Sequence, residues 1–190
     1  MEAEKEALEI WSEKCKKQYE AKEASYRKSA EIVEFYHTKA KDAARFPTEK
    51  DEVCEWARKN FSDSIIRSQR AETALRKYSG ALDTAILCDS IYYLNAYARY
   101  RRKEITEEQL AMYAEFYNWE CCGSGSGALR LHRDDYEITI ECEKYLLDMH
   151  LKYGVSSQVL IRIYFCWDEI RGKVIIGYMP EHLATATKST

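Results

Sequence analysis

Gly80 to Lys103 reads GALDTAILCDSIYYLNAYARYRRK, and the way this stretch is covered decides the fold. After its first residue it contains neither Gly nor Pro. Leu82, Ala85, Ile86, Cys88, Tyr92, Tyr93, Ala96 and Tyr100 recur at helical steps of three and four, while Leu87, Ile91, Leu94 and Tyr97 line a second side. A helix that is apolar on nearly all of its circumference belongs inside a bundle, with other helices around it. Asp83, Asp89 and Asn95 interrupt the run, which makes it too polar for a membrane span of about 20 apolar residues. The stretch therefore predicts a mainly α fold: an elongated helical bundle of four to five helices, with a C-terminal β-hairpin.

Working outward from this helix, residues 1–46 contain neither Gly nor Pro. Leu8, Trp11, Cys15, Tyr19, Tyr26, Ala30, Val33, Ala40 and Ala44 form a stripe close to an eleven-residue repeat, the period of a nearly straight helix. Unbroken, it would run about 70 Å at 1.5 Å per residue. Pro47 ends it, and Thr48 with Asp51 predicts a capped second helix carrying Val53, Trp56, Phe61, Ile65, Leu75 and Tyr78, with a bend at residues 60–63. Beyond the central stretch, Thr106 and Gln109 form a capping box for a short aromatic helix. Asp134 with Glu137 predicts a further helix ending at Gly154. The period then changes. Residues 159–167 and 173–179 are rich in β-branched and aromatic residues and flank the turn sequence DEIRG, which predicts a hairpin.

The domain organisation follows from these breaks. Residues 1–122 are expected to form the bundle, and residues 128–190 a helix plus hairpin completing the same domain, with a disordered tail from about 184. GSGSG, residues 123–127, holds three of the seven glycines of the chain and reads as a flexible linker of engineered composition. The 29 basic and 32 acidic residues leave a net charge of -3, so no global excess demands a nucleic-acid or membrane partner. Seven cysteines, odd in number and without a CxxC pair, match neither zinc nor thioredoxin spacing and fit a reducing, cytoplasmic setting.

No motif of high specificity marks a catalytic residue, metal or cofactor, and none is expected. Phosphate loops, dinucleotide fingerprints and HExxH helices are missing. His132 in RLHRDD, residues 130–135, could serve acid–base chemistry, but Asp134 beside it reads as a helix cap. Cys121, Cys122, Cys142 and Cys166 are available thiols and His37, His132, His150 and His182 available bases, yet no spacing pairs them. The leading expectation is a non-enzymatic interaction or assembly module that self-associates or binds a protein partner. Its contact residues are Leu8, Trp11, Cys15 and Tyr19 on the first helix, and Tyr113, Tyr117 and Trp119 in the aromatic one. The alternative is a nucleic-acid contact through the basic end of the central helix, Arg99, Arg101, Arg102 and Lys103. A cysteine-dependent enzyme is a distant third.

Overall fold

The computed structural model describes residues 12–24, 46–117, 119–154 and 160–184. The chain divides into two compact units, Met1–Arg45 and Phe46–Thr190. In the first, residues 12–24 are helical (α1) and exposed throughout, with Lys17 Nζ 4.0 Å from Glu13 one turn away. The rest of the expected long helix lies outside the described residues, as does the tail from 185.

The second unit runs α2 (Lys50–Phe61), β1 (Ile65–Arg67), α3 (Gln69–Lys77), α4 (Thr84–Arg101), α5 (Glu107–Tyr117), β2 (Glu120–Gly123), α6 (Ser126–Leu131), α7 (Arg133–Tyr136), β3 (Glu137–Ile140), β4 (Glu143–Leu146), β5 (Met149–Tyr153), β6 (Ile161–Asp168) and β7 (Lys173–Tyr178). Five strands form a mixed sheet in the order β1-β7-β6-β5-β2, with β1 parallel to β7 and the other pairs antiparallel. β3 and β4 pair separately. The fold is α+β, and the expectation of a mainly α, elongated bundle is overturned. The central helix is where it was expected, capped by Asp83, whose carboxylate accepts from Ala85 N at 2.8 Å. Leu87, Ile91, Leu94 and Ala98 on it are fully buried. What covers it is partly a sheet, because an all-apolar helix records only that it is covered and not by what.

One face of the sheet packs on the helices. Phe165 of β6 meets Tyr97 of α4 edge-on, ring centroids 5.3 Å apart, and Ile176 and Leu151 beside it are fully buried. On the far side of α4, Tyr92 sits among Phe46, Trp56 and Phe61, the tightest pair 5.0 Å apart. These rings bury large area with favourable edge contacts. The second face of the sheet holds Cys166 and Ile175 under Ala128, Tyr136, Ile138, Leu147 and Leu183.

One expected helix is interrupted by a strand, and another proves to be mostly strand. The second helix breaks at residues 62–64, near the expected bend, but continues as β1 before α3 begins at an N-cap Ser68 whose hydroxyl accepts from Ala71 N at 3.0 Å. Residues 134–153 form one helical turn and then three strands. Their spacing fits a helix and a strand equally, and the β-branched EITI together with cross-strand pairing settles the competition. Glu141 and Cys142, at φ 50° and 70°, make the tight two-residue turn that right-twisted strands favour. Gly154 is left-handed at φ 80°, as a terminating glycine should be, although what it ends is β5. Thr106 and Gln109 form the reciprocal cap, with bonds of 2.9 and 3.3 Å. The C-terminal hairpin is present as β6 and β7. Residues 123–127, read as a linker, are the end of β2 and the start of α6, where Ser124 N donates to Asp148 O and Ser124 Oγ to Leu147 O at 2.9 Å.

Candidate functional site

Strand side chains alternate between faces, and residues directly opposite on neighbouring strands share a face with Cβ atoms about 5 Å apart. β5 is written MHLKY and β6 begins IRIY. Met149 and Leu151, like Ile161 and Ile163, turn toward the helices. His150 and Lys152, with Arg162 and Tyr164, turn the other way. Register then assembles two rows across the second face. One runs Cys122, His150, Tyr164 and Tyr178; the other runs Glu120, Lys152 and Arg162. Only the β6–β7 pairing is signalled by a local turn, so the folded sheet is what brings the rest of the rows together.

The rows are polar where a sheet face under a helical cover would be apolar. His150 stacks on Tyr164 with ring centroids 5.4 Å apart and planes 25° from parallel. Tyr164, itself buried, places its hydroxyl 3.3 Å from His182 Nδ1 and accepts from Leu183 N at 3.3 Å. Burial raises the Tyr164 phenol above its ordinary value, so it stays protonated. In the second row Lys152 Nζ pairs with the exposed Glu120 at 3.0 Å. The Cys122 thiol donates to the same carboxylate at 3.2 Å.

Arg162 is the anomaly. It is 8% exposed, yet its Nε and Nη1 are buried with no hydrogen-bond partner. Among the described residues no carboxylate reaches it. Next to it the His150 Nδ1 is likewise buried and unpartnered. Burial lowers the His150 pKa below its usual value, and the Arg162 guanidinium pushes it the same way. The imidazole is therefore neutral near pH 7 and can accept or give a proton. Leaving a guanidinium desolvated and unpaired is among the most unfavourable arrangements in a protein interior, and such orphan donors call for an explanation. With Glu120 matched to Lys152, the patch keeps one uncompensated cation.

The sequence candidates fall elsewhere. The basic end of α4 is bonded within the chain. Arg99 lies 3.6 Å from Glu104, and Arg101 pairs with Glu169 at 3.2 Å and lies over the Trp167 ring at 5.1 Å. Arg102 bonds Glu104 at 2.6 Å, Gly172 O at 3.1 Å and Ser64 Oγ at 3.3 Å. Lys103 follows in a left-handed conformation at φ 63°. Of the contact residues, Leu8 and Trp11 lie outside the described residues, while Cys15 and Tyr19 are exposed on α1, Tyr19 at 71%. Tyr113 is half-buried in α5, and Tyr117 ends that helix. Trp119, expected on a surface, is instead 5% exposed and packs on Tyr153 at 5.3 Å.

Three of the thiols are poor nucleophiles by environment. Burial pushes Cys121 up to about 11, and Cys88 and Cys166 up to about 12; only a thiolate attacks efficiently. Cys142 sits on the exposed β3–β4 turn and His132 at the junction of α6 and α7, with no shared constellation. Among the described residues no cluster of three metal-binding side chains forms and no helix is long and apolar enough to cross a membrane. Reading the sequence named His150 only as one of four available bases and missed Arg162 and Lys152; the local signal was polar residues at every second position between apolar ones in MHLKY and IRIY. No protein family matches the chain, and no curated protein or solved structure resembles it.

Proposed function

We propose that the chain binds a phosphate-bearing ligand of the nucleic-acid class on the second face of its sheet, anchored by Arg162. The observation that carries this reading is the buried guanidinium with two unpartnered nitrogens, beside a neutral imidazole whose Nδ1 is also unpartnered. A planar fork of donors matches phosphate oxygens, and a charge-assisted bond in a desolvated site is stronger than one in water. Lys152 adds a second cation at the rim. Beside the anion site the half-buried ring of His150, stacked on the buried Tyr164, favours a ligand that carries bases as well as phosphate.

The test is equilibrium binding of single-stranded RNA and DNA at about 50 mM salt, where phosphate contacts are strongest. Arg162→Gln should weaken binding at least about tenfold, or 1.4 kcal/mol. The pair Arg101→Ala and Arg102→Ala should leave the salt dependence unchanged. A fall of about one to two units in its slope for that pair would instead place the phosphates at the end of α4. No binding to either polymer removes this reading.

A second reading, assembly through α1 with another copy or a protein partner, has one observation in its favour. Every residue from 12 to 24 is exposed, the large ring of Tyr19 included, and an isolated helix is marginal in water. Seven free thiols support a reducing, cytoplasmic setting for either reading.

A further inference from the structure

Arg162 is buried, so a ligand reaches its guanidinium only after something over it moves. On one side lies β5, paired with β6 along its whole length from Met149 to Tyr153. On the other lies the segment that follows β7. Pro180 stands across from Arg162, its carbonyl accepting from Arg162 N at 2.8 Å. The chain then turns back over the second face. Leu183 N donates to the Tyr164 hydroxyl at 3.3 Å, and His182 Nδ1 lies 3.3 Å from the same oxygen. Tyr136 donates to Ala184 O at 3.0 Å. Arg162 and Tyr164 are two apart on one strand and share that face, so residues 180–184 pass beside the Arg162 side chain.

The hold of this segment is slight. Glu181, His182 and Ala184 are exposed, and its apolar anchor is Leu183, buried in one cluster with Tyr136, Leu147 and Cys166. Nor does it neutralise what it covers. Its one acid, Glu181, accepts from the Tyr178 hydroxyl instead. Lying closed therefore keeps the Arg162 guanidinium desolvated and its Nε and Nη1 unpartnered, which works against the closed position. A segment with mostly exposed side chains and little buried apolar area opens at far less cost than a central strand.

We infer that residues 180–184 are a strap that gates the phosphate site: laid down as here it seals Arg162, and lifted it opens Arg162 and His150 to the ligand. This rests on the reading of the sheet face given above. Wild-type affinity is then lowered in proportion to the fraction of molecules with the strap down. Loosening the strap has the opposite sign from ordinary damage to a site, because it tightens binding.

The experiment pairs amide hydrogen exchange with binding of adenosine monophosphate and of single-stranded RNA and DNA at about 50 mM salt. In the wild-type protein the Arg162 and Leu183 amides should exchange together, and at least about tenfold faster than those at Leu151 and Ile163. Leu183→Ala should tighten binding at least about tenfold. Tyr136→Phe, which keeps the buried ring and loses one hydrogen bond, should tighten it about threefold. In both variants the gain in affinity should match the factor by which exchange at the Arg162 amide rises. Adding Arg162→Gln to Leu183→Ala should erase the gain. An Arg162 amide that exchanges only with global unfolding overturns the strap and leaves the sheet-face site standing. So do folded variants that bind no more tightly than wild type. If the amides exchange as expected but neither the wild-type protein nor a variant binds any of the probes, the sheet-face reading fails and the gate with it.

Discussion

Arg162 gives the sharpest residue-scale expectation, because the arrangement proposed for binding is unfavourable for folding. Replacing a buried, unpaired charge with an apolar side chain of similar length commonly stabilises a protein. Arg162→Met should raise the unfolding free energy by about 1–3 kcal/mol in a denaturant titration while abolishing ligand binding. A destabilised variant would show that the guanidinium serves the fold. His150 supplies the pH dependence. Its folded pKa lies below the ordinary value, with burial the largest cause, the Arg162 guanidinium next, and the opposing pull of Glu120 smaller. Its contribution to stability is therefore complete above the unfolded value near pH 6.5 and is lost as pH falls through the lowered folded one. A bound phosphate reverses the local field and favours the imidazolium. Phosphate affinity should thus rise from about pH 7.5 to about 5.5 as the free protein loses stability, and His150→Gln should remove that rise. Affinity that is flat over this range would exclude the imidazole from the contact.

Among the elements, the β6–β7 turn does the most for the sheet. Asp168, buried at 4% exposure, accepts from Ile170 N and Arg171 N at 3.0 Å each, from Arg171 Nη1 at 2.8 Å and from Tyr145 at 3.1 Å. Arg171 reaches on to Glu143 at 2.6 Å and Glu141 at 3.0 Å, so one turn clamps the β3–β4 hairpin over the second face. Burial alone would raise the Asp168 carboxyl, but the Arg171 and backbone bonds outweigh it and the net shift is downward. Its stabilisation is present above the ordinary carboxylate range and disappears as pH falls through the lowered value. Asp168→Ala should cost about 2–4 kcal/mol, since it strands donors in a part-buried turn; an unchanged melting temperature would show that the clamp is idle. DEIRG was legible as a turn because its chemistry is local. β1 was not: three residues embedded between two helices, Ile65–Arg67 has no periodicity to read, and only its pairing with Val174–Ile176 makes it a strand.

For the molecule as a whole, the open question of assembly has a direct measurement. If α1 is a contact surface, deleting residues 1–22 should lower the mass seen by light scattering and leave the far-UV signal per residue of the remainder nearly intact. A full-length protein that already runs as a monomer at about 100 µM, a concentration at which weak symmetric dimers form, removes the assembly reading.

Read alone, the sequence determined what depends on neighbours a few residues away: the buried helix around Leu87 to Ala98, the Thr106–Gln109 cap and the hairpin joined by residues 168–172. Each is set by side chains that meet within one helical turn or across one tight turn. Tertiary structure alone decided that β1, more than a hundred residues upstream, lies parallel to β7, and that the cover of α4 is a sheet. It alone decided the candidate site too. Glu120, Lys152 and Arg162 are strangers in sequence, and strand register, a long-range choice in which a one-residue slip would turn every side chain to the other face, is what puts them in a row.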